Sequence, residues 1–384
     1  MQTNVKLIAT NRFLETNIVS PTEVRLRDRD FISWGDNNSY PDYIEDLYQN
    51  VSTLHSIIDG TTDYVCGDDV VMGVAGFDRQ VNKEGDTIND IVSWIAKDLV
   101  KFNGFALNII RNTLGRPVEI YYLDFKRVRS NIDGTKFYYS EDWSKSYGRV
   151  KYLEYEAFQS GAASTIFYYK NDINRVYPTP MYAAAVIACE IEKKMNEYHL
   201  NNISNSFSSN YIINFNNGRP SDDIQEEIER DIEEKFCGVE NSGRPMLSFN
   251  TGKENETTVT KIDADSFIDK YNSMIERSQQ EIFTSFRATP NLFGIPTATT
   301  GFSEQEYNEA YRLYNRTVVM PIQNKIMRSF DKIFGVDTSQ PGDPGQKVVH
   351  SVTIKPFALD EVDGDTAQRE VVRRNVVKKE TVQQ

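Results

Sequence analysis

The segments TPMYAAAVIACEIEKKMNEYHLNNISNSF (residues 179–207) and DSFIDKYNSMIERSQQEIFTSFRA (residues 265–288) decide the fold of this chain. Each is predicted to form one long helix, because its larger side chains recur at a spacing of three or four residues. At 1.5 Å of rise per residue, the first helix would be roughly 40 Å long. The predicted faces are Ile187, Ile191, Met195 and Tyr198 in the first helix, and Tyr271, Ile275, Ser278, Ile282 and Phe286 in the second.

The ends of these helices carry local signals. Thr179 is a good helix cap and Pro180 suits the first helical position. Asp265 opens the second helix, and Pro290 ends it. Between the helices, residues 208–264 read as a small insert with strands at 211–215, 246–249 and 259–262 and one helix that begins at Ser221. One face of that helix is almost entirely acidic.

A loop and a third long helix follow. The stretch from Asn291 to Gly301 is rich in Gly, Pro and Thr. Ser303 and Glu306 form a capping-box pattern for a helix that must kink or break at Pro321 and ends at Gly335. A Pro/Gly linker then leads to a predicted strand at 350–355.

The first 178 residues mix helices and strands. Thr87 and Asp90 form a capping-box-like pair for a helix with Gly104 just past its end. Dense apolar and aromatic runs predict paired strands across residues 105–170. The expected fold class is therefore α+β.

The charge is strongly acidic. The chain carries 43 Lys and Arg against 56 Asp and Glu, a formal net charge of −13. A sequence-specific DNA reader usually shows a basic face. An acidic protein can still handle DNA that must slide, because a repulsive wall prevents sticking. An ordinary acidic globular protein is the alternative, and charge alone does not separate the two.

Compartment signals are few. No window of about eighteen apolar residues occurs, so no membrane span is expected, and the N-terminus lacks the pattern of a signal peptide. The three cysteines, Cys66, Cys189 and Cys237, are far apart, which favours buried thiols of a reducing compartment over disulfides.

Catalytic motifs are not found. The sequence has no phosphate-binding loop, no dinucleotide-binding turn and no nucleophile elbow. His55, His199 and His350 each stand alone in the sequence. The acid pairs Asp222/Asp223 and Glu233/Glu234 could bind a divalent ion, but a solvated helix face is the favoured interpretation. Neither a catalytic residue nor a metal or cofactor site is predicted.

Four blocks, in this order, resemble the motifs of bacteriophage portal proteins, particularly the short portals of long-tailed phages. Residues 99–128 resemble the "GNA" strand and "YxLDPxRV" pattern, with Gly104-Phe105-Ala106 at the first and Leu123-Asp124-Phe125 at the second, without the proline. Residues 177–181 resemble the "G-x-SP-L" helix opening without its glycine. Residues 238–247 resemble the "G-x-xNAG-x-x-x-L" turn, and residues 282–294 the "I-x-x-x-F-x-VPP-x-LLG" block, with Thr289-Pro290 in place of the double proline.

The resemblance covers roughly residues 100–335 and implies a portal-like architecture. Its parts would be a mixed α/β wing (1–178), a first stem helix (179–207), a small α/β clip (208–264), a second stem helix (265–288), a tunnel loop (289–302), a kinked tunnel helix returning to the wing (303–335), and the wing end with a short C-terminal crown or tail (336–384). The subunits would form a ring, usually of twelve, at one capsid vertex.

The resemblance also implies partners. Double-stranded DNA would pass through the ring without sequence-specific contacts, the terminase motor would dock on it, and head–tail connectors would later replace the motor. The ring would sit among copies of the major capsid protein or scaffold, in the virion, after assembly in the host cytoplasm. No membrane is involved.

Candidate site residues fall in three groups. The tunnel-loop group is Asn291, Leu292, Phe293, Gly294, Ile295, Pro296, Thr297, Thr299 and Thr300. The clip group, expected to dock the motor, is Glu226, Glu229 and Glu233. The crown group, expected to contact DNA or to be a solvated tail, is Arg369, Arg373, Arg374, Lys378 and Lys379.

Two other functions remain open at this point. One is a non-viral oligomeric scaffold or adaptor of the same α+β build, without catalysis. The other is a metal-dependent enzyme that uses the acid clusters. Images of the purified protein would separate a portal from both alternatives, because only a portal must form a ring with a central hole.

Overall fold

The structure is a computed structural model that describes residues 18–25, 29–145, 150–173, 175–204, 211–214, 258–261, 265–294, 304–336 and 350–357. Side chains are not described at 201–204, 211–214, 258–261, 265–271 and 304–305. The fold mixes helices with sheets, as the sequence predicts.

Three helices form a layer near the start of the chain. They are α1 (Tyr40–Asn50), α2 (Ser52–Cys66) and α3 (Ile88–Phe102). The capping box that opens α3 is confirmed, since the Thr87 hydroxyl accepts from the Asp90 amide and the Asp90 carboxylate accepts from the Thr87 amide. Ile91 and Ile95 of α3 are fully buried, so this helix lies at the centre of the core.

The end of α3 differs from the prediction in one respect. Asn103, not Gly104, takes the left-handed conformation that ends the helix, with φ of 65°. Gly104 instead leaves space for its neighbours, because a Cβ there would lie 2.6 Å from the Phe125 ring and 2.8 Å from the Tyr169 carbonyl oxygen. Glycine at this position therefore permits close packing.

Six strands form the main sheet and confirm the predicted pairing across 105–170. They are β4 (Gly104–Arg111), β5 (Pro117–Leu123), β6 (Val128–Ser130), β7 (Lys136–Tyr139), β8 (Leu153–Ala157) and β9 (Ser164–Lys170). Their order is β5-β4-β9-β8-β7-β6, and every pairing is antiparallel except β8 with β9. Three short strands precede this sheet: β1 (Glu23–Val24), β2 (Ser33–Trp34) and β3 (Asp69–Met72).

Two long helices follow the sheet and pack against each other. They are α4 (Val186–Ser204) and α5 (Asp265–Phe286), and the short strands β10 (Tyr211–Asn214) and β11 (Thr258–Lys261) pair antiparallel between them in sequence. The predicted start of α5 at Asp265 is confirmed. The rest of the predicted insert, including its acidic helix, lies outside the described residues.

The predicted start of α4 at Thr179 is wrong. The α-helix begins at Val186 and is preceded by a 3-10 turn at Ala183–Ala185. The reason is tertiary: the buried Tyr182 ring stacks on Phe286 at 4.9 Å, and its hydroxyl donates to the Lys101 carbonyl at 3.0 Å. Residues 205–207 of the predicted helix lie beyond the described part.

The predicted apolar face of α4 is also only partly buried. Met195 is buried, but Ile187 is 61% exposed and Tyr198 is 41% exposed. The buried face is completed by Val186 and Cys189. Apolar side chains therefore lie on both sides of this helix.

The last long helical segment is irregular close to Pro321. It consists of α6 (Glu304–Tyr314), a π-helical turn (Asn315–Val319) and α7 (Met320–Phe334), which ends at Gly335 with φ of 68°. Proline lacks the amide hydrogen of a regular helical turn, and the π turn widens the helix just before it. The helix is thus irregular next to Pro321, as predicted, and the irregularity is a π turn.

The predicted strand near residue 350 is present as β12 (Val352–Lys355), paired antiparallel with β3. Asp331 of α7 fixes its start. The buried Asp331 carboxylate accepts from the Ser351 amide and hydroxyl, each at 2.8 Å, and lies 2.7 Å from His350 Nδ1. The chain from residue 350 onward is therefore held between α7 and β3.

Candidate functional site

The structure describes part of one predicted site. Asn291, Leu292, Phe293 and Gly294 of the predicted loop are described. The other predicted residues lie outside the described ranges, namely Ile295, Pro296, Thr297, Thr299, Thr300, Glu226, Glu229, Glu233, Arg369, Arg373, Arg374, Lys378 and Lys379. The site is therefore built from the base of the loop and the helices that hold it.

The loop leaves α5 through two left-handed residues. Arg287 has φ of 55°, and the chain then forms a 3-10 turn at Pro290–Phe293 that ends at Gly294 with φ of 77°. Proline at the start of the turn fixes its first φ angle, and glycine adopts the positive φ at low cost. This local chemistry separates the 3-10 turn from α5, which ends at Phe286.

The turn is anchored in the core. The Leu292 side chain is buried, and its carbonyl oxygen accepts from the Tyr64 hydroxyl at 3.0 Å. The Phe293 ring is half-buried against three rings at centroid distances near 6 Å, those of Tyr64, Phe283 and Tyr314. A buried side chain cannot touch a molecule passing outside, so Leu292 serves as an anchor.

Gly60 of α2 makes room for the Phe293 ring. A Cβ at Gly60 would lie 2.9 Å from two carbons of that ring. Real Cβ atoms essentially never approach a heavy atom that closely. Glycine within a helix costs up to about 1 kcal/mol relative to alanine, so close contact with the loop is the evident reason for it.

A set of hydroxyl groups ties the loop base to the neighbouring helices. Tyr64 and Tyr307 hydroxyls lie 3.1 Å apart, and Thr61 Oγ1 lies 2.7 Å from the Tyr314 hydroxyl. Burial raises the pKa of Tyr314 to about 12 and also raises the pKa of Tyr64. Both phenols are therefore neutral at physiological pH, and the loop base carries no charge from them.

The same cluster reaches the end of the described chain. Tyr311 donates its hydroxyl to the Phe357 carbonyl at 3.1 Å. The Phe357 ring lies 5.9 Å from Tyr64 and 6.0 Å from Tyr311, centroid to centroid. The residues that follow β12 thus start beside the loop base.

A buried acid in the first half of α4, Glu192, connects this helix to the start of α2. Glu192 is 2% exposed, and its Oε1 accepts from the Thr53 amide at 3.2 Å and from the hydroxyls of Ser52 and Thr53 at 3.1 and 3.0 Å. These donors open α2, where a negative charge is favoured by the helix dipole. Burial also raises the pKa of the neighbouring Cys189 thiol to about 12, so this thiol stays protonated.

The described residues offer little for catalysis. No group of three or more His, Cys, Asp or Glu within them is arranged to hold a metal ion. His55 stacks on Tyr48 at 4.5 Å and pairs with Asp59, and His350 pairs with Asp331. Both histidines therefore have structural partners.

Sequence reasoning missed the residues that hold the loop. The pattern places Tyr307, Tyr311 and Tyr314 only on a helix face, and it does not single out Gly60 or Tyr64. The available signal was the tyrosine spacing itself, directly after a Gly/Pro-rich loop. The partners of these tyrosines are far away in sequence, so the pattern alone does not identify them.

Comparison with known proteins gives one family match. Residues 78–368 match the family model described as "Phage portal protein". A curated protein of Rickettsia felis, described as uncharacterized, is 32% identical over 123 residues, which cover 32% of this chain and 30% of that protein. The match thus spans less than a third of the length of this curated relative.

Two solved structures share the fold at 16% identity. One is the neck of a native gene transfer agent particle, computed with C12 symmetry, with a TM-score of 0.52 and coverage of 87% of this chain and 89% of that chain. The other is the virion of a native gene transfer agent particle, with a TM-score of 0.51 and the same coverage. In addition, none of the helices in the described parts of the chain has the length and apolar character that a membrane crossing requires.

Proposed function

Because the chain belongs to the phage portal protein family, whose model matches residues 78–368, we propose that it forms a ring at one capsid vertex through which DNA is packaged and ejected. The family match is the observation that carries this proposal. The similarity of its fold to proteins of virion necks supports it. The family match does not favour a non-viral scaffold.

The ring would contain twelve subunits, in line with the C12 symmetry with which one similar neck structure was computed. Exposed apolar side chains on the long helices support lateral packing of subunits. Ile187 and Leu200 on α4 and Met274 on α5 are each more than 40% exposed. A ring would remove such side chains from water, which is favourable.

Helices α4 and α5 would form the stem of each subunit, and residues 208–264 between them would form the clip. The loop at 289–302 would narrow the channel, with its base fixed by Leu292 and Phe293. DNA contact would then fall to Asn291, Gly294 and the residues after them. Since these residues are uncharged, the loop would touch DNA without holding it.

Partners would bind at the two ends of the channel. The acidic clip residues Glu226, Glu229 and Glu233 would dock the terminase motor and then the head–tail adaptors, and the basic tail from Arg369 to Lys379 would touch packaged DNA without reading its sequence. The wing would face the major capsid protein or scaffold. The ring would assemble in the host cytoplasm, end in the virion and catalyse no reaction.

Imaging of the purified full-length chain tests the ring. Negative-stain micrographs should show rings with a central hole, and a monomeric particle at all concentrations would count strongly against the proposal. A variant with a shorter loop between Pro290 and Gly301 tests the channel. It should still form rings while DNA packaging or retention fails, whereas normal packaging would remove the loop from the proposed channel.

A further inference from the structure

The outer face of α6, the π turn and α7 carries a row of cations. Every fourth residue from position 312 is exposed, and we call this row the basic ridge: Arg312, Arg316, Met320, Asn324, Arg328 and Lys332. Residues four apart lie on the same face of a helix. The ridge is therefore continuous over roughly 30 Å.

The ridge is an exception in an acidic chain. After the three glutamates that open α6, Glu304, Glu306 and Glu309, residues 310–335 contain five Lys or Arg and one acid, Asp331, while the whole chain has a net charge of −13. Asp331 is buried and paired with His350 and Ser351, so it does not neutralise the ridge. None of the salt bridges found among the described residues includes a cation of the ridge.

Large apolar side chains lie among these cations. Met320 is 47% exposed, and Leu313, next to Arg312, is 66% exposed. Arginine and methionine are enriched in protein–protein interfaces, whereas lysine is depleted there. Three of the four cations of the ridge are arginines. DNA phosphates would satisfy the arginines but would leave Leu313 and Met320 without an apolar partner, so the composition favours a protein.

We propose that the basic ridge docks on an acidic face of a second copy of this chain. Two ridges cannot face each other across a two-fold axis, because their like charges would repel. The contact must therefore join different faces of the two copies, and such contacts close into rings or continue as open filaments. The inference rests on the proposed function and names one half of the contact between ring subunits.

Charge complementarity identifies the second copy as the occupant. Each copy carries a basic ridge on a chain with 56 Asp and Glu against 43 Lys and Arg, so a neighbouring copy has carboxylates to offer each ridge. Guanidinium groups make bidentate hydrogen bonds with carboxylates, which also fixes the relative orientation of two subunits. The same surface would be repelled by another ridge, which enforces a head-to-tail arrangement.

The test compares full-length variants of equal charge change. Arg312→Glu with Arg316→Glu reverses the ridge, and Arg25→Glu with Arg116→Glu reverses two exposed arginines outside these helices. Light scattering and negative stain would measure the fraction of chains in rings, and circular dichroism would confirm that each variant is folded. The ridge variant should lose association by at least about tenfold, because interface arginines are frequent hot spots, while the control variant should form rings as the unchanged chain does. Arg312→Lys with Arg316→Lys should retain part of the association.

Three outcomes would overturn the inference. Rings formed normally by the ridge variant, with weaker binding of a random DNA duplex, would assign the ridge to DNA. Rings formed normally with unchanged duplex binding would leave the ridge without a role in either contact. Equal loss in the ridge and control variants would show an effect of net charge. If the unchanged chain itself forms no ring, the proposed function fails first, and the ridge inference fails with it.

Discussion

The contact between Gly60 and Phe293 gives a prediction whose sign can be tested. Gly60→Ala would place a Cβ 2.9 Å from two ring carbons of Phe293, and the ring is held by Tyr64, Phe283 and Tyr314. Helix propensity alone favours alanine by about 1 kcal/mol, whereas overpacking costs about 1–3 kcal/mol. Gly60→Ala should therefore destabilise the region by up to about 2 kcal/mol.

Phe293→Ala removes the ring that a Cβ at position 60 would meet. Truncation of a fully buried phenylalanine costs about 3–5 kcal/mol, and Phe293 is only half-buried, so a loss of roughly 2 kcal/mol is expected. In that background the new Cβ at position 60 has room. Gly60→Ala should then stabilise α2 by about 0.5–1 kcal/mol, because only the helix propensity remains.

Amide hydrogen exchange in α2 and in the 290–293 turn measures these effects as local opening free energies. Local opening suits a large chain, for which one global unfolding free energy is poorly defined. Ser56→Ala, one turn earlier on the exposed face of α2, is the matched control and should not couple to Phe293→Ala. The reasoning is refuted if Gly60→Ala stabilises the unchanged protein, or if the two substitutions add to within about 0.5 kcal/mol.

Three further substitutions probe buried acids in α3, α4 and α7. Glu192→Ala removes the acceptor for Ser52 and Thr53 at the start of α2 and should cost about 2–3 kcal/mol in the opening of its first turn; unchanged exchange there would contradict this role. Burial raises the pKa of Asp98 from 3.8 to about 8, so the folded state favours the protonated acid, and the stability from this group is lost as pH rises through that range. Melting temperatures between about pH 5 and pH 9 should accordingly depend less on pH in Asp98→Asn, and parallel profiles would contradict the assignment. Asp331→Ala leaves the Ser351 amide without its acceptor and should raise the protease sensitivity of residues 350–357 at a cost of about 1–3 kcal/mol, while Asn324→Ala on the exposed side of the same helix should not.

The sequence predicted correctly the features that depend on neighbouring residues, and it failed where contacts between distant residues decide the structure. The capping box at Thr87 and the start of α5 at Asp265 depend on neighbouring residues, and both were predicted correctly. The start of α4 was wrong because Tyr182 is held by Phe286 and Lys101, which are distant in sequence. Propensity cannot register such a contact.

The candidate site shows the same division. The Gly/Pro-rich loop was visible in the sequence, since the residues at its turn follow local rules for proline and glycine. That Leu292 is buried depends on Tyr64, and the use of Gly60 depends on a ring more than two hundred residues away. Composition and spacing contain no information on either pairing.

Tyr64 connects the base of the loop with the last described residue of the chain. It holds the Leu292 carbonyl with its hydroxyl and packs with its ring against Phe293 on one side and Phe357 on another. Phe357 also lies against Tyr311, which packs on Tyr64, so a displacement of Phe357 would reach the loop base through these two phenol rings. The loop base and Phe357, the last described residue, thus share one support on α2.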